Sequence, residues 1–140
     1  MSDALAEPNV APAKRALVAG HADFASGLVS AVDLITGRGA QLVPIQVRGL
    51  CGDDIQKLLR ETLLQSGARV IFTDLQAGSC TMAARRVLRD IEGVVLVAGA
   101  NLPMLLDFVM SRNPDAGSAA ASAAERGRAA VSVVEGEGRA

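Results

Sequence analysis

Five residues have the types and the placement to do chemistry together. His21, the single histidine of the chain, follows a short apolar run. A neutral imidazole keeps a lone pair on one ring nitrogen near neutral pH. That nitrogen can attack a phosphoryl group and hold it as a phosphoramidate. Asp74 ends another apolar run. A carboxylate on the second ring nitrogen would fix the tautomer and raise the nucleophilicity of the first, as a catalytic triad does. Gly78 and Ser79 form a turn just ahead of a helical stretch, where free backbone amides offer a site for an anion. Asn101 follows a further apolar run and adds an amide. These positions lie far apart in sequence, so only a fold could gather them.

Each residue also has a plainer use. His21 could be a hydrogen-bonded loop histidine, and Asp74 a helix cap or an Asx turn at a strand end. Ser79 could cap a helix, a role compatible with binding phosphate because a phosphoryl group can complete the cap. Cys80 adjoins the same turn, but no second histidine activates it and no CxxC partner is present. It reads as a small apolar filler, and Cys51 has still less context. Arg85 and Arg86 read as a solvated helix face.

Residue counts remove other chemistries. One histidine rules out a HExxH metalloprotease, and two cysteines make neither a disulfide framework nor a Cys-rich zinc site. The residues call for no cofactor and no metal. There is no GxxxxGK[ST] phosphate loop, and Ala19-Gly20-His21-Ala22-Asp23 is not a GxGxxG dinucleotide fingerprint. A phosphorelay receiver with Asp74 as phosphoacceptor is an alternative. It would need an acidic pair after the first strand to hold magnesium, and this chain has Gly20-His21 there.

The elements that would position these residues alternate. Arg15 to Ala19 reads as a strand, and Phe24, Leu28, Ala31, Val32 and Ile35 as one face of a helix stopped by Gly37. Leu42 to Val47 reads as a second strand, and its Pro44, which cannot donate to a ladder, puts it at a sheet edge. A helix from Asp53 or Asp54 carries Ile55, Leu58, Leu59, Thr62 and Leu63 inward and ends at Gly67. Arg69 to Asp74 is the third strand, followed by a helix through Met82 to Leu88. Val94 to Ala98 is the fourth, followed by a helix from Leu102 to Met110. This alternation predicts an α/β fold with a parallel sheet covered on both faces, and the aliphatic third and fourth strands fit such burial. In such a sheet, ligands sit beyond the carboxyl ends of the strands.

The chain has 140 residues, one domain's worth. Residues 1–14 read as a loose tail, 15–135 as the domain and 136–140 as a frayed end. In the alanine-rich C-terminal stretch, Ser118 to Glu125 reads as a weak helix and Val131 to Val134 as a last short strand, with a disordered tail the alternative. The net charge of −1 and the 2% aromatic content argue against a nucleic-acid partner, whether bound by a basic surface or by stacking. The acidic, polar opening lacks the regions of a signal peptide, and no apolar run could span a bilayer. A cytoplasmic protein with reduced thiols is expected.

Four segments, in order, carry a family resemblance. Leu17-Val18-Ala19-Gly20-His21-Ala22-Asp23-Phe24 resembles the first strand and phosphorylated histidine of enzyme IIA of the mannose/fructose/sorbose-type bacterial sugar phosphotransferase system. Phe72-Thr73-Asp74-Leu75-Gln76-Ala77-Gly78-Ser79 is similar to its aspartate and Gly-Gly-Ser-Pro turn. Ala98-Gly99-Ala100-Asn101-Leu102-Pro103-Met104-Leu105 is similar to its Gly-Val-Asn-Leu-Pro-Met-Leu segment. Glu125 to Val131 is similar to its terminal helix-to-strand junction. Two departures stand out: Ala22 replaces the usual glycine, and Ala77-Gly78-Ser79-Cys80 replaces Gly-Gly-Ser-Pro.

The resemblance implies a three-layer α/β sandwich whose parallel sheet has order 2-1-3-4. It also implies a fifth, antiparallel strand at Val131 to Val134, often exchanged between the subunits of a homodimer. By the same resemblance, His21 accepts a phosphoryl group from the carrier HPr and passes it to enzyme IIB of a membrane permease. Asp74 orients the histidine, and Gly78, Ser79 and Asn101 attend the phosphoryl group. The alternatives are a subunit serving dihydroxyacetone kinase and a non-catalytic regulatory copy.

Overall fold

In the computed structural model, which describes residues 13–138, strands and helices alternate along the chain. They are β1 (Ala16–Ala19), α1 (Phe24–Thr36), β2 (Leu42–Pro44), α2 (Gly52–Ser66), β3 (Val70–Thr73), α3 (Ser79–Leu88), β4 (Val95–Ala98), α4 (Leu102–Met110) and α5 (Ala116–Ala129). Of the expected terminal tails, residues 1–12 and 139–140 lie outside the described residues.

The four strands form one parallel sheet in the order β2-β1-β3-β4. Successive side chains leave a strand on opposite faces. Ala16, Val18, Val70 and Phe72 therefore pack beneath α1, α4 and α5. Leu17, Ala19 and Ile71 pack beneath α2 and α3. This is the expected three-layer α/β sandwich. On the first face Phe72 and Phe108 meet edge to face with centroids 5.1 Å apart, worth about 1 kcal/mol beyond the area buried. The predicted stops hold: Gly37 and Gly67 take φ of 72° and 77° and donate their amides back to Asp33 and Leu63.

The sheet edges explain two details. Ile45 donates its amide to the Val18 carbonyl, so the nitrogen of Pro44 faces the open side of β2, as an edge strand allows. β4 is the other edge. All four of its residues are only half-buried, so its aliphatic sequence did not mean burial on both faces.

The C-terminal part departs most from the sequence reading. α5 is longer than the expected Ser118 to Glu125, because Asp115 caps it through the Ser118 amide at 3.1 Å. Its small residues are a packing surface: Ala119, Ala120, Ala123 and Gly127 are buried. A Cβ on Gly127 would lie 2.8 Å from Met104 Cβ. Val131 to Val134 forms no strand within the chain, and its valines are exposed. A four-residue extended segment gains little without a ladder partner.

The side on which the next strand is added changes between β1 and β3. β1 leads to β2 on one side, and β3 leads to β4 on the other. This is the switch point of an open parallel sheet, where the carboxyl ends leave a crevice. His21 follows β1 and Asp74 follows β3, so both stand at that crevice.

Candidate functional site

The site begins with a glycine that the sequence reading passed over. A Cβ on Gly20 would lie 2.6 Å from the Phe24 ring and 2.9 Å from the Asp74 carboxyl group. Only glycine lets the end of β1 come this close to Asp74. The available signal was its position directly before the histidine at a strand end. The turn continues through Ala22, whose φ of 48° is left-handed. Phe24 then donates its amide to the His21 carbonyl at 2.9 Å, and α1 starts.

His21 and Asp74 are joined twice. Asp74 Oδ2 accepts from the His21 amide at 2.8 Å and lies 2.8 Å from His21 Nδ1. An ionised carboxylate only accepts, so Nδ1 carries the proton and Nε2 keeps the lone pair. The His21 side chain is 60% exposed and that of Asp74 only 12%, so the imidazole is open to an incoming group and its orienting oxygen is sheltered. Burial pushes the Asp74 carboxyl upward. Hydrogen bonds from the His21 amide and ring, with the attraction of that ring, outweigh it and hold the carboxyl below its ordinary value. A sheltered carboxylate committed to His21 is poorly placed to be a receiver's phosphoacceptor.

Gly78 closes the other side. Its φ of 123° favours glycine, and a Cβ there would sit 3.4 Å from His21 Cε1. The backbone therefore passes against the imidazole. α3 starts at the next residue, and no side chain caps it. The amides of Ser79, Cys80 and Thr81 have no acceptor within the helix, which makes this end a ready seat for an anion. Ser79 is exposed there.

The remaining candidates divide. Asn101 caps α4, accepting from the Met104 amide at 3.0 Å and donating to the Gly127 carbonyl at 3.0 Å. Its side-chain amide thus ties α4 to α5, which is a structural use. Cys80 is buried in the core beneath α3. Burial first, then the negative charge of Asp74, pushes its thiol up, so it stays a protonated filler. Cys51 donates to Asp54 at 3.2 Å at the start of α2. Arg85 and Arg86 lie exposed in the last turn of α3, suited to its dipole. Among the described residues no group of three or more His, Cys, Asp or Glu could hold a metal ion. No helix among them is long and apolar enough to cross a membrane.

Comparison with known proteins points one way. Residues 15–125 match the family model described as PTS system fructose IIA component. The fold is similar to the mannose/sorbose-specific IIA subunit of the phosphotransferase system from Enterococcus faecalis. The TM-score is 0.75 at 20% identity, over 92% of this chain and 100% of that one. It is also similar to the phosphotransferase system component EIIA from Streptococcus agalactiae, with TM-score 0.70 and 21% identity over 86% of this chain and 95% of that one. A PTS IIA protein associated with the fucose utilization operon of Streptococcus pneumoniae gives TM-score 0.70 and 22% identity, over 89% and 96%. At these identities the structural likeness speaks for the fold. No curated protein sequence matches the chain.

Proposed function

The chain belongs to the fructose-type IIA component family of the phosphotransferase system, and from that premise we propose that it is a cytoplasmic phosphocarrier working through His21. The proposed working unit is residues 15–135. His21 Nε2 attacks the phosphorus of the phosphohistidine on HPr in line. A new N–P bond forms, the N–P bond on HPr breaks, and its electron pair stays with the departing imidazole of HPr. Throughout, Nδ1–H donates to Asp74, whose charge offsets that of the phosphorylated ring. Transfer between two imidazoles is nearly isoenergetic, so positioning and charge stabilisation carry the catalysis. The free amides at the start of α3 and the Ser79 hydroxyl receive the phosphoryl oxygens, with Gly78 giving them room. The second transfer runs the same chemistry outward to enzyme IIB. Donor and acceptor must use the same crevice in turn, so each interface is modest and transient.

One observation supports this most. A single Asp74 oxygen engages both the amide and Nδ1 of His21 at 2.8 Å, leaving Nε2 free on an exposed ring. Incubation with enzyme I, HPr and labelled phosphoenolpyruvate tests it. Label is expected on His21, stable to alkali and lost in acid, and absent from His21→Ala. Full labelling of His21→Ala would overturn the mechanism.

A homodimer is part of the same proposal. The outer edge of β4 carries no strand among the described residues. Together with Val95, Met104 and Gly127 it lines an open groove that Val131 also borders. The exposed Val131–Val134 of one protomer suits the role of an antiparallel fifth strand on the β4 of its partner.

A further inference from the structure

Two buried hydroxyls stand behind the Asp74 loop, and the transfer chemistry makes no use of them. Thr73 and Thr81 are 0% and 1% exposed, and no other polar side chain among the described residues is so fully buried. Thr81 Oγ1 lies 2.7 Å from Thr73 Oγ1 and 2.5 Å from the Leu75 carbonyl oxygen. A carbonyl only accepts and a hydroxyl has one proton, so the order is fixed: Thr73 donates to Thr81, and Thr81 donates to Leu75.

This short chain grips both neighbours of Asp74. Thr73 is already held by the sheet, and its carbonyl accepts from the amides of Gly99 and Ala100 at 3.0 and 2.9 Å. The far side of Asp74 has no such support. Among the described residues, Leu75, Gln76 and Ala77 make no backbone-to-backbone hydrogen bond. The Thr81 hydroxyl is thus the inner tie of the loop, and it comes from α3, the helix whose first amides face the site. Asp74 Oδ2 must meet two donors of one residue at 2.8 Å each, so a small rotation of the loop would lose one of them.

We propose that the hydroxyl chain from Thr73 through Thr81 to Leu75 is a positioning device for phosphoryl transfer, holding the Asp74 carboxylate where it keeps His21 in the Nδ1–H tautomer with Nε2 free. The proposal rests on the phosphocarrier reading for its rate measurement only. The tautomer can be read without any partner protein.

The experiment compares wild type, Thr81→Val and Thr81→Ser. Nitrogen-15 NMR of the His21 ring, at a pH where it is neutral, gives the share of the Nδ1–H tautomer. Labelling by phospho-HPr gives the transfer rate. Thr81→Val keeps the shape and loses the hydroxyl. It is expected to lower the Nδ1–H share and slow transfer about tenfold, within the roughly hundredfold cost of an ångström's misplacement. Thr81→Ser, which keeps the hydroxyl, is expected to restore both. A folded Thr81→Val with wild-type tautomer and rate overturns the proposal. Thr73→Val is the milder second variant: it leaves Leu75 held, so it is expected to shift the tautomer and the rate less than Thr81→Val, and a larger effect there than in Thr81→Val counts against the proposal. The unaltered protein supplies a third check: sheltered hydroxyl protons on Thr73 and Thr81 should exchange slowly enough to be seen by NMR, and fast exchange overturns the proposal. Failure of wild type itself to take label would instead strike the phosphocarrier reading and leave the tautomer result standing.

Discussion

Asp74 Oδ2 accepts from the backbone and from the ring of the same histidine, so it sets the position of His21 and its tautomer together. Asp74→Asn keeps an accepting oxygen but removes the charge. It is expected to slow labelling by phospho-HPr while leaving the far-UV spectrum and cooperative melting intact. The charge also has a pH signature. Native Asp74 titrates below its ordinary value of 3.8, so the unfolded chain takes up the proton first as pH falls. Its stabilising contribution is whole above that ordinary value and is lost below it. The melting-temperature gap between wild type and Asp74→Asn should therefore narrow once the pH drops below about 4. A gap that widens below that pH would contradict the assignment. Ala22 sits at φ 48°, where a Cβ costs about 1–2 kcal/mol. Ala22→Gly relieves that strain and loses about 0.5–1 kcal/mol to chain entropy. A small gain in chemical-denaturation stability is expected, with labelling unchanged. Ala22→Val, with a branched side chain at the same φ, should lose more than about 1 kcal/mol.

At the scale of elements, the packing of α5 on α4 has a single narrow point. A Cβ on Gly127 would fall 2.8 Å from Met104 Cβ and 3.0 Å from Asn101 Oδ1. Met104 Cβ is fixed to its helix and cannot swing aside. Gly127→Ala is expected to cost about 1–3 kcal/mol, the usual range for overpacking, seen as a lower urea midpoint with unchanged slope. Ala121→Ser, on an exposed position of the same helix, is the neutral control. This helix was also the least legible part of the sequence. α1 and α2 announce themselves by large side chains at helical spacing and a glycine at the stop. α5 buries alanine and glycine, and small residues look alike whether they pack tightly or fray. The place of His21 and Asp74 could be read from strand ends, because an open parallel sheet brings those ends together. The commitment of Asn101 to a cap could not, since capping and ligand binding use the same residue at the same spot. Nor could the Thr73–Thr81 pair, whose hydroxyls meet only through the packing of α3 on β3.

For the whole molecule, the proposed transfer and the proposed assembly rest on different residues. His21 and Asp74 come from one chain, at the carboxyl end of its own sheet, so the proposed transfer needs no second protomer. The proposed dimer depends on other residues. Val131, Val133 and Val134 are 72%, 89% and 88% exposed in the single chain, and burying one valine is worth about 1.5 kcal/mol or more. Alternation puts Val131 and Val133 on one face of an added strand, opposite Val134. Removal of residues 131–140 is therefore expected to give a folded monomer by sedimentation equilibrium that still takes label on His21. Val133→Asp should weaken the dimer without cutting the chain, because a carboxylate would be carried into the β4 groove. A full-length chain that stays monomeric at high concentration would dismiss the strand exchange and leave the histidine chemistry untouched. A truncated chain that is monomeric and unlabelled would show the reverse: the site requires the assembly, and the geometry within one protomer is not sufficient.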